Sequence, residues 1–560
     1  MAPSALLKLP VLAAALSLAS CARNQVNITL NDWSALRPST TLHWTPCFEN
    51  YTCARLKVPL DYGDPSRGDT AIAFIKLSAT NWGNYTQSLL INPGGPGGSG
   101  IEAVLSEGTS LAEIVQGQHN IIGFDPRGVG RSGPVVDCWP DNPLGRAQFE
   151  NLYYPEIPNA SSTAIGRQFA AADLFGKACT PTVGGSKGTA AFVGTPAVAR
   201  DMLSYLDAER EVTGRLEAKL WYYGLSYGTV LGATFAHLFP ERVGRMVLDG
   251  VVDAEDYYNL GWESNLFDAD KALDLFFQSC FEAGPQNCRF WDHSVQDIHA
   301  RLDGLLHGLK NSPIPIEASD PCPLPMLATY SDLKQVILQA MYSPLQGFPN
   351  LATVLAGLEQ GNTTAYTAAV TGGETPANPC NYNYAATDGT GTGTDDIGTL
   401  IKCVDGAGAG SPTEFQTLTQ FKEYVNILNH QSEFFGDVWP NNANGVACRS
   451  FDVSPPQSAR LAGSASILET RHTANPILFV TTDVDPVAPE RGAYKMSSAF
   501  PGSVVLTQDS VGHTAFASAS TCLVQWIQAY LLQGQLPPVN STCLSDVEPF
   551  QATGDLIPCG

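Results

Sequence analysis

Short apolar runs separated by turns rich in glycine and proline characterise residues 55–150, and they predict β-strands. Four such runs are "ARLKVPLDY", "TAIAFIKLSA", "QSLLINPGG" and "NIIGFDPRG". The later run "TPAVARDMLSYLDAERE" (195–211) repeats its apolar residues at helical spacing and carries Pro196 in its first turn. Because strands then alternate with helices, we expect an α/β fold with a mainly parallel sheet covered by helices on both faces.

The pattern changes after about residue 255, where helical periodicity continues without intervening strands. The helical runs are "ESNLFDADKALDLFFQSCF", "SVQDIHARLDGLLHGLK", "YSDLKQVILQAMY" and "PTEFQTLTQFKEYVNIL". Strand and helix alternate again in "PILFVTTDVDP", "SVVLTQDS" and the closing "AFASASTCLVQWIQAYLLQG". A helical insertion therefore interrupts the sheet core. The predicted organisation is a signal peptide at 1–22, a first core part at 23–255, a helical cap at 256–465 and a second core part at 466–560.

The amino-terminal segment and the sequons indicate secretion. Residues 3–20, "PSALLKLPVLAAALSLAS", form an apolar run that is short for a transmembrane helix and typical of a cleaved signal. "LASC" at 18–21 also resembles a bacterial lipoprotein signal, which would attach Cys21 to lipid. Sequons for N-glycosylation favour eukaryotic secretion instead. They are Asn27, Asn50, Asn84, Asn159, Asn362 and Asn540.

The charge composition narrows the class of partner. The formal net charge is −23, and charged residues make up 15% of the chain against a usual share of about 25%. An acidic surface repels nucleic acid and anionic lipid, so neither is an expected partner. No segment after the signal is long and apolar enough to span a bilayer.

The chain has 14 cysteines and no C-x-x-C pair, which disfavours zinc ribbons and favours disulfides in a secreted protein. Local spacing suggests the pairs Cys47–Cys53, Cys280–Cys288 and Cys522–Cys543. Less direct pairings are Cys138–Cys179 and Cys403–Cys448. The sequence leaves Cys322, Cys380 and Cys559 unassigned.

The stretch "WYYGLSYGTV" (221–230) frames one serine between two glycines, as Gly224-Leu225-Ser226-Tyr227-Gly228. G-x-S-x-G is the nucleophile elbow, a strained turn between strand and helix that exposes the serine hydroxyl. "KLWYYGL" before it has strand composition, and "YGTVLGATFAHLFP" after it has helical spacing. This context predicts Ser226 as a nucleophile.

A serine nucleophile needs a base and an acid that orients the base. His513 follows the predicted strand "SVVLTQDS", and Asp485 follows "PILFVTT". These positions match the chain order Ser, acid, His and the strand ends where such groups lie. Asp483, two residues earlier, remains an alternative acid. The histidines assigned to packing, to the surface or to the wrong strand end are His237, His299, His307 and His472.

The developing oxyanion also needs hydrogen-bond donors. The first expected donor is the backbone N–H of Tyr227, directly after the nucleophile. The second is expected from the glycine-rich loop "NPGGPGGSG" (92–100). A flexible turn or a phosphate-binding loop would be alternatives for this loop, but it lacks the G-K-[ST] of a P-loop. This chemistry requires no metal or organic cofactor.

Together, "NPGGPGGSG", "GFDPRGVGRSGP", "GLSYG", "TTDVDPVAP" and "GH" resemble the proline iminopeptidase and tripeptidyl aminopeptidase branch of the α/β-hydrolases. "WTPCFENYTCARLKVPLDY" and the tail "STCLVQWIQAYLLQGQLPPVNSTC" resemble the secreted tripeptidyl aminopeptidase group. The resemblance covers roughly residues 40–255 and 470–545. It implies an α/β-hydrolase fold with Ser226 as nucleophile, Asp485 as acid and His513 as base. It also implies that Gly95 and Tyr227 supply the oxyanion N–H groups.

Two positions depart from the pattern of this branch. Pro93 stands where proline iminopeptidases usually carry histidine, which weakens any transfer of proline specificity. Thr482 stands where glycine is common before the acid. Neither change removes a catalytic atom.

The expected function is a secreted serine hydrolase that releases short units from peptides with a free amino terminus. The enzymatic alternative is a carboxylesterase or lipase-like hydrolase, and a further alternative is an inactive hydrolase fold used for binding. Recognition of an α-ammonium requires a carboxylate near the site. The candidates in the insertion are Glu263, Asp268 and Asp270. The sequence does not give the oligomeric state.

Overall fold

The protein is described by a computed structural model over residues 33–551, except 82, 84–85, 186, 215–217, 319–324, 372–395, 411–414 and 462–466. The strands are β1 (Thr45–Cys47), β2 (Tyr51–Pro59), β3 (Asp69–Leu77), β4 (Ser88–Asn92), β5 (Asn120–Phe124), β6 (Leu220–Leu225), β7 (Val243–Asp249), β8 (Ile314–Ile316), β9 (Met326–Ala328), β10 (Leu478–Val484), β11 (Val504–Val511) and β12 (Ser541–Leu544).

The helices fall into three groups along the chain. Those before β7 are α1 (Gly100–Ile114), α2 (Pro143–Tyr153), α3 (Ala164–Val183), α4 (Thr195–Thr213) and α5 (Tyr227–Leu238). Those between β7 and β10 are α6 (Ala254–Tyr258), α7 (Ala269–Asn287), α8 (Val295–Asn311), α9 (Tyr330–Tyr342), α10 (Pro344–Glu359), α11 (Thr364–Thr371), α12 (Asp396–Ala409), α13 (Leu418–Gln431) and α14 (Trp439–Ala443). The last two are α15 (Glu490–Ser498) and α16 (Thr521–Gln533).

Within the described ranges, ten strands form one sheet in the order β1-β2-β3-β5-β4-β6-β7-β10-β11-β12. Every neighbouring pair from β5 to β12 is parallel. The first strands, β1, β2 and β3, join this sheet as antiparallel neighbours. The predicted α/β class with a mainly parallel sheet is therefore confirmed.

Apolar side chains alternate between the two faces of the sheet, as the period of two in a strand requires. In β6, Tyr222 packs on the face covered by α4 and α5, while Tyr223 packs on the face covered by α1 and α16. In β10, Phe479 and Leu478 divide in the same way. Both faces of the central strands are thus removed from solvent, and chemistry is left to the strand ends.

The segment between β7 and β10 is mostly helical, as the sequence pattern predicts, and it adds the short antiparallel pair β8–β9. Its buried side chains, such as Phe276, Leu355 and Phe421, belong to the same apolar cluster as the residues under α4 and α5. The insertion therefore shares a core with the sheet. Its helix α13 begins later than expected, at Leu418, because Thr417 and Gln420 form a capping box there.

In the described part of the chain, ten cysteines form five disulfides, which include the two less direct pairings. They are Cys47–Cys53, Cys138–Cys179, Cys280–Cys288, Cys403–Cys448 and Cys522–Cys543. Disulfides at this density are typical of an oxidising compartment. The cysteines that lie outside the described residues are Cys21, Cys322, Cys380 and Cys559.

Four of the six predicted N-glycosylation sites lie in the described part of the chain. The sequon residues Asn50, Asn159, Asn362 and Asn540 are all exposed. The other two, Asn27 and Asn84, lie outside the described residues, as does the expected signal peptide. Among the helices of the described part, none is long and apolar enough to cross a membrane.

We predict that peptide mapping without reduction will recover these five cysteine pairs from the purified protein. The five Cα–Cα separations run from 4.3 to 5.9 Å, close to the usual range for a disulfide, so each pair can form without backbone movement. The mapped peptides are identified by mass before and after reduction. A free thiol at any of the ten positions, or an exchanged partner, would contradict the prediction.

Candidate active site

Ser226 lies between the end of β6 and the start of α5, with φ 55° and ψ −125°. A non-glycine residue in such a conformation costs of the order of 1–3 kcal/mol, so the surrounding packing must impose it. A Cβ at Gly224 would approach Gly228 O to 2.4 Å, and a Cβ at Gly228 would approach Asn92 O to 2.6 Å. Both flanking positions therefore require glycine, and the turn is closed over the backbone of β4.

The structure brings His513 and Asp485 into contact. His513 Nδ1 lies 2.9 Å from Asp485 Oδ2 and 3.0 Å from Oδ1. The wholly buried Asp485 also accepts hydrogen bonds from the N–H groups of Val487 and Ala488, at 3.0 and 2.8 Å. With Nδ1–H donating to the carboxylate, the neutral imidazole keeps Nε2 as a proton acceptor.

The alternative acid has a different partner. Asp483 makes an ion pair of 2.9 Å with Lys271 of α7, and its side chain is 44% exposed. Thr482, which stands where glycine is common before the acid, has a structural role. The hydroxyl of Thr482 donates to Gly512 O at 2.6 Å, which ties the acid-bearing strand to the histidine loop.

The end of β7 joins the serine and the histidine. The N–H of Ser226 donates to Asp249 O at 2.9 Å. A Cβ at the next residue, Gly250, would lie 3.2 Å from His513 Cε1. The strands that carry these residues, β6, β7, β10 and β11, are parallel neighbours. The three residues predicted as nucleophile, acid and base therefore lie at the same edge of the sheet.

The side chain of Asp249 was not predicted as part of this site. It is fully buried, and it accepts hydrogen bonds from Ala515 N at 2.8 Å and from the Tyr223 hydroxyl at 2.9 Å. Burial raises the pKa of Asp249 to about 7. The sequence signal was present in "LDGVVD", an aspartate at the end of the strand next to the elbow strand.

The electrostatic surroundings favour a protonated histidine. Burial lowers the pKa of His513, but the charge of Asp485, its hydrogen bond, and the charge of Asp249 outweigh this effect, so the pKa lies above 6.5. An imidazolium forms when histidine takes a proton from a serine nucleophile. The two carboxyl groups are placed to stabilise that cation.

The insertion reaches the histidine directly. The N–H of His513 donates to Tyr342 O, the last residue of α9, at 2.9 Å. The two rings meet edge to face, with centroids 5.1 Å apart. This contact fixes the histidine loop against the insertion.

The glycine-rich loop after β4 packs on the serine turn. Gly94, Gly95 and Gly97 all have positive φ, from 97° to 108°. A Cβ at Gly94 would lie 2.4 Å from Leu225 O and 3.0 Å from Tyr227 N. Only glycine permits this approach of one backbone to another.

Two backbone donors remain available at the serine turn and in the glycine-rich loop that packs on it. Among the described residues, neither the N–H of Gly95 nor that of Tyr227 donates to a protein acceptor. Tyr227 is the first residue of α5, where N–H groups lack partners within the helix. Developing negative charge near the serine would find donors there, together with the favourable end of the helix dipole.

The motif "GFDPRGVGRSGP" (123–134) makes buried polar contacts near the glycine-rich loop. Buried Asp125 accepts hydrogen bonds from Ser99 Oγ at 2.5 Å and from the N–H of Arg131 at 2.8 Å. Arg127 and Asp201 form a buried ion pair of 2.6 Å. The contacts of Asp125 hold the start of α1, and hence the end of the glycine-rich loop, in place, while the ion pair joins the loop after β5 to α4.

The three candidate carboxylates of the insertion have different surroundings. Asp270 accepts from Ser432 Oγ at 2.5 Å and from Glu433 N at 2.8 Å, so it holds a loop of the insertion. Glu263 is half-buried, and its backbone oxygen accepts from the side chain of Gln431.

Asp268 lies close enough to the acid loop for its charge to interact with those of Asp483 and Asp485. It immediately precedes α7, which is joined to that loop by the ion pair of Lys271 with Asp483. Burial raises the pKa of Asp268, with the charges of Asp483 and Asp485 adding to the effect against those of nearby cations. In the described ranges its carboxylate has no hydrogen bond or ion pair. Nor do these ranges contain three grouped His, Cys, Asp or Glu side chains that could hold a metal ion.

Comparisons with known proteins agree with the fold. Residues 87–332 match the family model "alpha/beta hydrolase fold", and residues 432–543 match "TAP-like protein". The chain is 29% identical over 530 residues to serine protease Hip1 of Mycobacterium tuberculosis, covering 90% of this chain and 91% of the relative.

Two further relatives carry different names. Carboxylesterase B of Mycobacterium tuberculosis is 27% identical over 505 residues, covering 88% of this chain and 86% of the relative. Tripeptidyl aminopeptidase of Streptomyces lividans is 25% identical over 521 residues, covering 91% of this chain and 87% of the relative.

We predict that Asp249→Asn gains stability relative to the native protein as the pH rises from about 4 to about 7. The native carboxyl titrates near 7 when folded and near 3.9 when unfolded, so the folded state binds the extra proton and its stability falls across this window. The relative gain is of the order of 4 kcal/mol. Thermal unfolding of both proteins across the pH range measures it.

Asp452→Asn, at an exposed position, is the control and should show no such trend. A difference between Asp249→Asn and the native protein that stays constant across the pH range would contradict the assigned burial of Asp249.

Proposed function

We propose that this chain, which has the α/β-hydrolase fold, is a serine peptidase and more specifically an exopeptidase that releases short peptides from free amino termini. The proposal combines two kinds of support. The site offers the groups of an acyl-transfer mechanism, and one relative along most of the chain is named tripeptidyl aminopeptidase. We also propose that the protein is secreted and glycosylated, which its five disulfides and exposed sequons support.

The observation that carries the proposal is the convergence of three features at one sheet edge. They are the strained Ser226, the His513–Asp485 pair at 2.9 Å, and the two backbone donors beside the serine. Strain at a single serine is costly, and strained residues of this kind concentrate at functional sites, which supports a role for the Ser226 hydroxyl. An inactive binding protein would not need this combination.

In the proposed mechanism, Ser226 Oγ attacks the carbonyl carbon of the scissile amide while His513 Nε2 takes the serine proton. The N–H groups of Gly95 and Tyr227 donate to the carbonyl oxygen as it becomes negative. The imidazolium, stabilised by Asp485, then gives its proton to the departing amine, and the C–N bond breaks. Water, activated by the same histidine, hydrolyses the acyl-enzyme and restores Ser226.

Exopeptidase action requires recognition of the substrate α-ammonium. Asp268 is the candidate that its surroundings favour, since Asp270 already holds the 432–434 loop. The guanidinium carbon of Arg491 lies 3.3 Å from the ring centroid of Phe267, the residue before Asp268. A half-buried carboxylate without a partner gains more from a cation than a fully solvated one.

The alternative activity is ester hydrolysis, which the relative named carboxylesterase B favours. The same serine, histidine and oxyanion donors would serve both reactions. Rates on a peptide amide and on a simple ester of the same acyl group distinguish them. The peptidase proposal requires efficient cleavage of the amide.

We predict that Ser226→Ala folds and loses of the order of 10⁶ in kcat, as in a comparable triad. Asp485→Asn should lose about 10⁴, because the histidine would no longer be held in the required tautomer. Asp483→Asn is the matched control and should stay within a few-fold of native, since Asp483 contacts Lys271 rather than His513. Steady-state rates on one peptide substrate give all three values. Substantial activity in purified Ser226→Ala would end the proposal.

We predict that acetylating the amino terminus of a good peptide substrate slows its cleavage by orders of magnitude. Removing the ammonium would leave the facing carboxylate unpaired, a loss of about 2–5 kcal/mol by analogy with truncated buried pairs. Asp268→Asn should slow cleavage of the free peptide and so reduce the ratio of its cleavage rate to that of the acetylated peptide.

Asp274→Asn changes an exposed carboxylate on the same helix and should leave both rates unchanged. Equal cleavage of the free and acetylated peptides by the native protein would replace the exopeptidase proposal with an endopeptidase or esterase.

A further inference from the structure

Helix α12 of the insertion contacts both halves of the proposed oxyanion hole. Its residues Gly398 and Asp405 are seven positions apart, which is about two helical turns and about 10 Å along the axis. They therefore lie on the same face of the helix. One contacts the glycine-rich loop, and the other is connected to Tyr227.

The first contact joins two backbones. A Cβ at Gly398 would lie 2.6 Å from Pro96 O, and a Cβ at Gly97 would lie 3.2 Å from Gly398 N. The Ile397 side chain also packs against Gly97. The first turn of α12 thus rests directly on the two residues that follow Gly95.

The second contact places a carboxylate at the start of α4. The residue before this helix is Gly194, which has no side chain to cap it. Asp405 acts as the cap instead: its Oδ1 accepts the Thr195 N–H at 2.7 Å, and its Oδ2 accepts the Thr195 hydroxyl at 2.5 Å. The Tyr257 hydroxyl adds a third donor at 2.8 Å.

Thr195 transmits this contact to the elbow. Its Oγ1 lies 2.5 Å from the hydroxyl oxygen of Tyr227. Because the Thr195 hydroxyl donates to Asp405, the Tyr227 hydroxyl donates to Thr195. A buried chain of hydrogen bonds therefore runs from Asp405 to the residue whose backbone N–H is the proposed oxyanion donor.

The helix itself is anchored within the protein. The disulfide Cys403–Cys448 joins α12 to a later segment of the insertion. Asp396, its first residue, makes an ion pair of 2.9 Å with Arg146. Movement of α12 relative to the oxyanion loop is therefore restrained at its first residue and near its middle.

We propose that α12 positions the two donors of the oxyanion hole. Gly398 fixes the position of the Gly95 N–H, and the hydrogen-bond chain Asp405–Thr195–Tyr227 fixes the position of the Tyr227 N–H. This inference rests on the proposed serine mechanism. Under this proposal the insertion contributes to transition-state stabilisation, in addition to the substrate recognition proposed for Asp268. Gly398 and Asp405 are positioning residues, which act on the substrate through the backbone N–H groups of Gly95 and Tyr227.

The first test compares two glycine substitutions on the same helix. Gly398→Ala would place its Cβ against Pro96 O, whereas the nearest atom to a Cβ at Gly408 is Pro455 Cγ at 3.5 Å, an ordinary contact. Both substitutions replace a helical glycine with alanine, which has the higher helix propensity. We expect Gly398→Ala to lose tenfold or more in kcat with KM within about threefold, because the lost interaction is made in the transition state. Gly408→Ala should keep the native kcat and KM.

The second test removes one hydroxyl and keeps the backbone donor. Tyr227→Phe should also lower kcat, by roughly tenfold, without a matching change in KM. Tyr205→Phe is its control, because it removes a buried hydroxyl of α4 that donates to Glu209 at 3.2 Å, away from the elbow. A structural role alone would make the two tyrosine variants alike, with lower thermal stability and native kinetics.

The deciding readout is the affinity for a peptide aldehyde with the substrate's sequence, whose adduct with serine carries an oxyanion. Gly398→Ala and Tyr227→Phe should weaken this affinity by the same factor as kcat, and the two controls should not. Native aldehyde affinity in both test variants would overturn the inference, even if their stability falls. Failure of the serine mechanism is detected separately, by activity in Ser226→Ala or by native protein that does not bind the aldehyde.

Discussion

The backbone of Ser226 is the constraint on which the rest of the site depends. A positive φ at this residue allows β6 to pass into α5 without an intervening loop, so Ser226 stays partly exposed at the turn and Tyr227 is the first residue of the helix. Glycine at 224 and 228 lets the turn close against the backbone of β4, and Gly94 lets the next loop approach the serine. A side chain at any of these three positions would displace the turn.

Around this turn, the parallel sheet supplies the other groups by strand order. The ends of β7, β10 and β11 carry Asp249, Asp485 and His513 in neighbouring positions. The helical insertion packs against these groups. It contacts the histidine through Tyr342 and the oxyanion loop through Gly398. Because the insertion and the sheet share one apolar core, these contacts are held by the same packing that stabilises the fold.

Sequence reasoning succeeded where the signal is local. The G-x-S-x-G motif, the strand-end positions of Asp485 and His513, and the mainly parallel sheet follow from short patterns. The catalytic roles of these residues stay predictions, although the structure brings them together. Helix α12 was not predicted, because its three glycines weaken helical periodicity, and at Gly398 that glycine is required by Pro96 O.

The partners of Asp405 and Asp249 were also beyond a sequence pattern. Asp405 caps a helix whose first residue, Thr195, is 210 positions away. Asp249 bonds to Ala515, 266 positions away. Buried polar groups of this kind are satisfied by tertiary contacts, which one sequence does not encode in its spacing. The strand pair β8–β9 is too short to stand out from the helical pattern around it.

A crystal structure of the protein inhibited by a fluorophosphonate tests the central claim most directly. The account predicts a bond from phosphorus to Ser226 Oγ, with the phosphoryl oxygen about 2.7–3.1 Å from the backbone nitrogens of Gly95 and Tyr227. His513 should remain paired with Asp485. Phosphorus attached to another residue, or a phosphoryl oxygen directed away from these two nitrogens, would contradict the account.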